Sequence, residues 1–298
     1  MTSTPLSLVQ YRRGSDPAIV LGVAVDGRVH RAPADWPAGL LEIVRDWARW
    51  AAVIRELDPA SLAEETEDVT LLAPLTYPNK VICAGANYYD HAAEMGTDVP
   101  DPEAPPYFFL KPPTTTVVGT GAPVIMPAGA GVDLDWEVEL AVVIGDRCAD
   151  VLVEEARSHV AGYVVANDIS ARGLFHRPGA VAAPFAWDWL GHKAMDTFCP
   201  VGPDFVPAWL IDDPQDLALR LSINGEVQQD SSTSKMVVDI DHLIAAASRT
   251  MTLEPGDLIL TGTPAGVGKP RGRFLQVGDV MVAEIEGIGS LTNEVVAR

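Results

Sequence analysis

The stretch DLDWEVELAVVIG, residues 133–145, decides how the centre of this chain folds. Its second half, residues 140–144, is an uninterrupted apolar run that predicts a buried β-strand. Glu137 and Glu139 stand at the entrance of that strand. Because side chains two residues apart point to the same face, these carboxylates are expected about 5–7 Å from each other. A bound cation would explain two like charges on one face of a core strand, and a solvated first half of the strand would also explain them.

The composition of the 298-residue chain restricts the classes of partner. A formal net charge of −20 argues against nucleic acids and anionic membrane surfaces, because both bind basic faces. A small anionic substrate is compatible with this charge if the site supplies a local cation. No apolar run of about 18 residues is present, so we expect no transmembrane helix. The first residues also lack the apolar region of a secretory signal.

The cysteines Cys83, Cys148 and Cys199 are scattered and odd in number. Their spacing predicts neither a disulfide framework nor a zinc site. We therefore expect a reducing, cytoplasmic location. Hydrophobic residues make up 48% of the chain, which is enough for a sizeable core.

Turn residues predict where strands pair. Asp26-Gly27 and Asn224-Gly225 each stand between strand-like flanks, and such pairs favour the tight turns of β-hairpins. Short apolar runs separated by turn residues dominate the rest of the chain. Because they do not alternate regularly with helices, the sequence predicts an α+β fold rather than a doubly wound sheet.

Helical spacing of apolar residues is confined to a few segments. Residues 40–57 and 239–251 show it, with Asp239 placed to cap the second helix. Residues 154–162 form a further predicted helix.

Composition also predicts the domain organisation. Residues 58–70 are polar and acidic, which is typical of a connector. We place a small N-terminal α/β domain at residues 1–72 and a second domain at residues 73–298. Within the second domain, the Pro-rich stretch 97–106 predicts a mobile loop.

Asp168 is the residue that could complete a cation site. It follows an apolar run and stands where a strand ends, so its carboxylate either caps a following helix or binds a ligand. Carboxylate oxygens alone would suit Mg²⁺, Mn²⁺ or Ca²⁺.

His91 and Glu94 are candidates for acid–base chemistry. They stand at positions i and i+3, so on a helical turn they share a face. A carboxylate that holds one imidazole nitrogen raises the basicity of the other, which suits a general base acting on water. An ordinary ion pair at the start of a surface helix is the alternative.

Lys193 and the turn at residues 261–270 are further candidates. Lys193 could neutralise an anionic substrate or be merely exposed. The turn does not match a phosphate-binding P-loop, because that motif requires glycine where Thr263 stands and Ser or Thr where Pro270 stands. Its Gly-Thr pair could still present backbone N–H groups to a carboxylate.

Six motifs, taken together and in this order, resemble the fumarylacetoacetate hydrolase family. They are LLAPLTYPNKVICAGANYYDHAAEM, FFLKP, DWEVELAVVIG, GYVVANDISAR, KAMDTFCPVGP and LILTGTPAGVG, and they lie within residues 71–298. The likeness is to the shorter, acylpyruvase-like members. It implies a mixed β-sandwich roll, a homodimer and a divalent metal, which is Mg²⁺ or Mn²⁺ in shorter members and Ca²⁺ in longer ones.

The resemblance also implies roles for individual residues. The metal ligands would be Glu137, Glu139 and Asp168, the water-activating dyad would be His91 with Glu94, the active-site lysine would be Lys193, and the substrate-contacting residues would be Arg172, Gly262 and Thr263. The paired glutamates would then be two of three protein ligands of a cation.

The chain departs from the family pattern at several places. Phe175 stands where the family often has Gln, and Ala84 stands where longer members have a further aspartate ligand. The segment 173–192 is longer than usual and rich in aromatic residues. It is expected either to cover the substrate's acyl tail as a lid or to pack in the core or at a dimer interface.

The expected activity is hydrolysis of a carbon–carbon bond in a β-diketo acid such as an acylpyruvate or fumarylpyruvate. Alternatives based on the same enolate chemistry are oxaloacetate decarboxylation, keto–enol tautomerisation and dehydration of a keto-deoxy sugar acid. They are favoured if His91 does not activate water. A binding protein without catalytic activity is the alternative from another class, and the metal-ligand and dyad residues argue against it.

Overall fold

The computed structural model describes residues 6–66 and 68–298. Residues 1–5 of the predicted N-terminal domain and Glu67 of the predicted connector lie outside the described residues. In chain order, the described strands are β1 (Ser7–Arg13), β2 (Val20–Val25), β3 (Arg28–Arg31), β4 (Val69–Leu71), β5 (Val81–Gly85), β6 (Tyr107–Lys111), β7 (Val117–Val118), β8 (Val124–Met126), β9 (Leu134–Asp135), β10 (Val138–Ile144), β11 (Val160–Asn167), β12 (Ser170–Ala171), β13 (Cys199–Pro200), β14 (Val206–Pro207), β15 (Ala218–Ile223), β16 (Glu226–Ser232), β17 (Leu258–Leu260), β18 (Val280–Ile285) and β19 (Gly289–Ala297). The described α-helices are α1 (Leu40–Arg45), α2 (Trp47–Arg55), α3 (Tyr89–Met95), α4 (Pro113–Thr116), α5 (Val153–Ala156), α6 (Trp189–Lys193) and α7 (Ile240–Thr250).

Within the described residues, the strands form three larger sheets and two short pairs. The N-terminal sheet has the order β3-β2-β1-β4, the central sheet β14-β11-β10-β17-β5-β6, and the third sheet β16-β15-β18-β19-β8. The short pairs are β12-β9 and β13-β7. Parallel and antiparallel neighbours occur in the same central sheet, since β17 runs parallel to β5 and antiparallel to β10. This confirms the predicted α+β fold with a mixed β architecture.

Strand β10 is buried on both faces, which explains its continuous apolar run. Leu140 and Val142 pack into the cluster shared with the third sheet. Ala141 and Val143 face the cluster on the other side of the central sheet. Because side chains alternate along a strand, the odd-numbered face that begins with Glu139 leads into this second cluster.

The N-terminal segment contributes to that second cluster. Leu8 of β1 and Ile43 of α1 pack there together with Val81 of β5 and Leu260 of β17. The N-terminal sheet and helices therefore share one continuous core with the central sheet. The predicted domain boundary between residues 72 and 73 stays a prediction.

The local predictions differ in outcome. Both hairpins form, with β2 pairing β3 and β15 pairing β16 across the predicted turns. Helix α7 forms, and the carboxylate of Asp239 accepts a hydrogen bond from the backbone N–H of His242 at 2.8 Å. The helix predicted over residues 40–57 is interrupted at Asp46, whose backbone leaves the helical conformation.

The helix predicted over residues 154–162 is wrong at its C-terminal end. Helix α5 and a 3₁₀ turn end at His159, and Val160 begins β11. Val160 and Gly162 pair with the end of β10, so sheet pairing replaces the last helical turn.

None of the described helices has the length and apolarity needed to cross a membrane.

Candidate active site

Two neighbouring strands bring three carboxylates together. Glu137 directly precedes β10, Glu139 lies within it, and Asp168 directly follows β11. In the antiparallel pair Val138 is opposite Asn167, so the start of β10 lies beside the end of β11. Carboxylate oxygens of Glu137, Glu139 and Asp168 all lie within 4.8 Å of one another, and the three residues are buried. We call them the carboxylate cluster.

Buried cations face the carboxylate cluster. Lys193 Nζ donates to Glu137 Oε2 at 2.9 Å and to Asp168 Oδ2 at 2.7 Å. Lys111 Nζ lies 2.5 Å from Asp168 Oδ1, and Arg172 forms an ion pair with Glu137. Lys193 and Arg172, both predicted from the sequence, are therefore at the site.

The cations act differently on the two glutamates. Burial would raise the pKa of Glu137, but Lys193 and Arg172 outweigh it and hold that pKa well below its ordinary value. Burial raises the pKa of Glu139 well above its ordinary value, and the charges of Asp168 and Glu137 raise it further. Burial would lower the pKa of Lys193, but Asp168 and Glu137 reverse the effect and raise it, so this lysine stays cationic. Of the three carboxylates in the cluster, that of Glu139 has the least positive charge beside it to compensate its own negative charge.

Two observations show that the cluster fits a divalent cation. Glu139 accepts a hydrogen bond from Gly262 N at 2.6 Å but has no ion-pair partner among the described residues. Asp168 Oδ1 accepts no hydrogen bond in the described part of the chain, since Lys111 approaches it outside hydrogen-bonding geometry. A buried set of carboxylate oxygens with uncompensated charge is the donor set that Mg²⁺, Mn²⁺ and Ca²⁺ prefer.

The alternative in which Asp168 caps a helix is wrong. The segment that follows is the short strand β12, which pairs with β9. The carboxylate of Asp168 instead points into the cluster.

The predicted dyad forms on helix α3. His91 Nδ1 lies 2.8 Å from Glu94 Oε1. Glu94 Oε2 accepts a hydrogen bond from Gly266 N at 2.8 Å, and Asp90 accepts one from Ala265 N at 3.1 Å, which fixes α3 to the neighbouring loop. With a proton on Nδ1 held by Glu94, a neutral imidazole keeps a lone pair on Nε2. His91 lines the same cavity as Glu137 and Glu139.

Gly262 and Thr263 hold the start of β10. Gly262 has φ of +92°, and a Cβ at this position would lie 2.8 Å from the Cβ of Asn87, so the backbone requires glycine. Its N–H donates to Glu139, and the hydroxyl of Thr263 donates to Val138 O at 2.9 Å. These contacts position a carboxylate of the cluster, and the predicted contact with substrate stays a prediction.

Sequence reasoning assigned no role to Lys111 and Asp135. Lys111 is fully buried and donates to Ile169 O at 2.9 Å and to Phe198 O at 2.6 Å, beside Asp168. Asp135 accepts from Arg172 Nε at 2.9 Å and from Gly268 N at 2.7 Å. A lysine that ends the apolar strand FFLK was the one signal that could have indicated Lys111.

A cavity of about 540 Å³ opens above the carboxylate cluster. The segment 173–192 supplies one wall through Phe175, His176, Trp189 and His192. The Phe175 ring lies 5.1 Å from that of Trp189 and 4.7 Å from that of His192, measured between centroids. Burial and the charge of Lys193 lower the pKa of His192 to about 3, so it is neutral near pH 7. The segment thus packs on itself and lines the cavity, and its closure as a lid stays a prediction.

Comparison with known proteins gives a consistent result. Residues 80–296 match the family described as "Fumarylacetoacetate (FAA) hydrolase C-terminal". The mitochondrial oxaloacetate tautomerase fahd2 of Xenopus laevis is 42% identical over 231 residues, which is 77% of this chain and 69% of that protein.

Two solved structures resemble the whole described fold. A fumarylacetoacetate hydrolase from Exiguobacterium antarcticum gives a TM-score of 0.82 at 37% identity, covering 98% of this chain and 100% of that one. Maleylpyruvate hydrolase from Sphingobium sp. SYK-6, in complex with manganese(II) and pyruvate, gives a TM-score of 0.75 at 32% identity, covering 98% and 99%.

Proposed function

Because the chain belongs to the fumarylacetoacetate hydrolase family, we propose that it is a metal-dependent enzyme that hydrolyses a carbon–carbon bond in an acylpyruvate. The observation that carries the proposal is the shared cavity. His91 of the dyad lines this cavity, and so do Lys193 and two members of the carboxylate cluster, Glu137 and Glu139. A base and an enolate-stabilising site therefore face one volume large enough for a small keto acid.

The cluster supports a role for a divalent cation, Mg²⁺ or Mn²⁺, held by Glu137, Glu139 and Asp168. Such a cation supplies Lewis-acid polarisation of a keto acid and offsets the charge of an enolate. The solved relative that contains manganese and pyruvate supports both the class of metal and the class of ligand. Ca²⁺ is less favoured, since the motifs resemble the shorter members of the family, for which the resemblance implies Mg²⁺ or Mn²⁺.

Each of these side chains would have a separate role in the hydrolysis. His91 Nε2 takes a proton from water while Glu94 orients the ring, and the resulting hydroxide attacks the distal carbonyl of the acylpyruvate. The bond between that carbonyl carbon and the neighbouring methylene breaks. This releases a carboxylic acid and the enolate of pyruvate, which takes up a proton. Lys193, cationic and next to Glu137, stabilises the enolate charge.

Oxaloacetate tautomerisation is the second candidate. It is favoured by the identity of 42% to a tautomerase. It is favoured too by Lys269, which lines the cavity with an exposed side chain and has no ion pair among the described residues. A free cation at this place suits a second carboxylate, which oxaloacetate has and acetylpyruvate lacks. In this reaction His91 would move a proton to or from carbon 3 of the substrate instead of from water.

Product analysis separates the two candidates. Purified enzyme with Mg²⁺ or Mn²⁺ is given acetylpyruvate, fumarylpyruvate or oxaloacetate, and pyruvate is measured with lactate dehydrogenase while enol absorbance is followed. Hydrolysis releases one pyruvate for each acylpyruvate consumed. Tautomerisation changes the enol absorbance of oxaloacetate without releasing pyruvate, and no metal-dependent turnover of any of these acids would contradict both candidates.

Phe175 lines the cavity, and its apolar ring predicts a substrate with an apolar acyl tail. Replacing Phe175 with Gln should lower the ratio of kcat/KM for acetylpyruvate to that for fumarylpyruvate about 10-fold, because a loss of apolar contact is worth roughly 1–3 kcal/mol. Phe185→Gln is the matched control, since Phe185 lies in the same segment but is 58% exposed and does not line the cavity. An unchanged ratio in Phe175→Gln would leave packing as the role of this side chain.

Lys269 should matter only for substrates with a second carboxylate. Lys269→Met is expected to lower kcat/KM for oxaloacetate about 2–5-fold, because an exposed ion pair contributes up to roughly 1 kcal/mol. Acetylpyruvate provides the internal control and should be turned over at the wild-type rate. Equal losses on both substrates would contradict a specific contact.

The predictions of a homodimer and of a cytoplasmic location stay predictions.

A further inference from the structure

A second group of potential metal ligands lies at the far end of β10. It consists of Asp146, Cys148 and His159, which we call the distal cluster. Asp146 follows the end of β10, and His159 directly precedes β11. The carboxylate cluster stands at the opposite end of β10, roughly 20–25 Å away at the usual strand rise. The distal cluster is therefore separate from the proposed active site.

The three side chains converge although they come from different segments. One ligand atom of each lies within 4.8 Å of the other two, and His159 Nδ1 is 2.5 Å from Asp146 Oδ1. Backbone hydrogen bonds fix the segments that carry them. Gly145 N donates to His159 O at 2.8 Å, and Cys148 exchanges hydrogen bonds of 3.0 and 2.9 Å with Leu253. Backbone pairing thus fixes the segments that carry the three residues, while the side chain of Asp146 is 62% exposed.

The Cys148 thiol is an independent sign of a ligand. Cys148 is only 5% exposed, and its sulfur has no hydrogen-bond partner among the described residues. Its sulfur nevertheless lies beside a carboxylate and an imidazole. Cys148 also packs into the main hydrophobic core, so its sulfur lies between apolar side chains and these two polar groups.

The charges around the thiol favour a cation. The carboxylates of Asp146, Asp257 and Glu254 act electrostatically on the Cys148 thiol. Asp257 has Lys80 as its partner at 2.6 Å, and Glu254 has Arg147 at 3.2 Å. Among the described residues, Asp146 is paired only with the His159 ring. Its carboxylate therefore has no permanently charged partner and is available to a bound cation.

We propose that the distal cluster is a second metal site, selective for Zn²⁺. One thiolate, one imidazole and one carboxylate form a ligand set that zinc accepts and that Mg²⁺ avoids. The exposed side of Asp146 leaves a fourth position for water. Bound zinc would link the end of β10, the turn before β11 and the segment of Cys148 that pairs with Leu253. Its role would therefore be structural, stabilising the packing of these segments.

Cobalt is the probe that reports a cysteine ligand. Reduced protein without an affinity tag is saturated with Mg²⁺ and titrated with Co²⁺, followed by Zn²⁺. The proposal predicts a near-ultraviolet thiolate-to-cobalt absorption that saturates at one equivalent and disappears when Zn²⁺ is added. Cys148→Ser should abolish the band, and Asp146→Asn and His159→Gln should each weaken Co²⁺ binding at least about 10-fold.

Matched variants make the result decisive. Asp150→Asn removes an exposed carboxylate two residues from Cys148 and should leave the band unchanged. Glu139→Gln should also leave it unchanged, which separates this site from the proposed active site. A wild-type protein without the band overturns the proposal, because no thiolate would then bind cobalt. A band that persists in Cys148→Ser overturns it too, because the thiolate ligand would then be Cys83 or Cys199.

Discussion

Replacing His91 with alanine lowers kcat on the best acylpyruvate by about 10²–10⁴-fold, the usual contribution of general acid–base catalysis. The substitution removes Nε2, the nitrogen that the contact between Nδ1 and Glu94 leaves available. Metal affinity should be kept, since His91 is not a member of the carboxylate cluster. Steady-state kinetics and calorimetric titration with Mn²⁺ measure the two quantities separately.

Two further variants show whether the loss is specific. Glu94→Ala should lower kcat in the same direction, because it leaves the imidazole unoriented and frees Gly266 N. His30→Ala removes a histidine of the N-terminal sheet whose side chain has one hydrogen bond among the described residues, to the carbonyl of Arg28, and this variant should behave as wild type. Wild-type turnover by His91→Ala would rule this residue out as the base.

Glu139→Gln removes metal binding and activity together. Loss of a group that merely orients a metal ligand costs 10–100-fold in affinity, so loss of a charged ligand should cost more than about 100-fold. The fold should survive because the Gln carbonyl can still accept the hydrogen bond from Gly262 N. Calorimetric titration with Mn²⁺ tests the affinity, and wild-type binding by the variant would contradict the site.

Stability of the metal-free variant provides a second test. The cluster and its ion-pair partners contain four carboxylates, those of Asp135, Glu137, Glu139 and Asp168, and three cations, Lys111, Arg172 and Lys193. Glu139→Gln balances these charges, so the Tm without metal should not fall. Only the rise in Tm on adding Mn²⁺ should disappear. Glu294→Gln, an exposed change on β19, should keep that rise.

Several features could be predicted from the sequence because their causes are local. The apolar run of β10, the Asp26-Gly27 and Asn224-Gly225 turns and the Asp239 cap each depend on neighbouring residues, and each is found in the structure. The His91–Glu94 contact belongs to the same class, since one helical turn sets its distance. The order of the family motifs likewise predicted the family and its fold.

Other features depend on contacts between distant segments. Residues 154–162 have helical spacing, but pairing between β10 and β11 turns their last residues into a strand. The scattered cysteines gave no indication of a metal site, yet folding brings Cys148 next to Asp146 and His159. Periodicity within one segment carries no information about which other segment it meets.

The sequence by itself determined the apolar run of β10, the two hairpin turns and the family, and it singled out the acidic face at Glu137 and Glu139. Only the tertiary structure decided how that charge is held, by bringing Lys111, Arg172 and Lys193 to carboxylates from other strands. The physical reason is that burying a charge is favourable only with a partner close by. Those partners come from β6, the turn after β12 and α6, and sequence separation sets no distance between such elements.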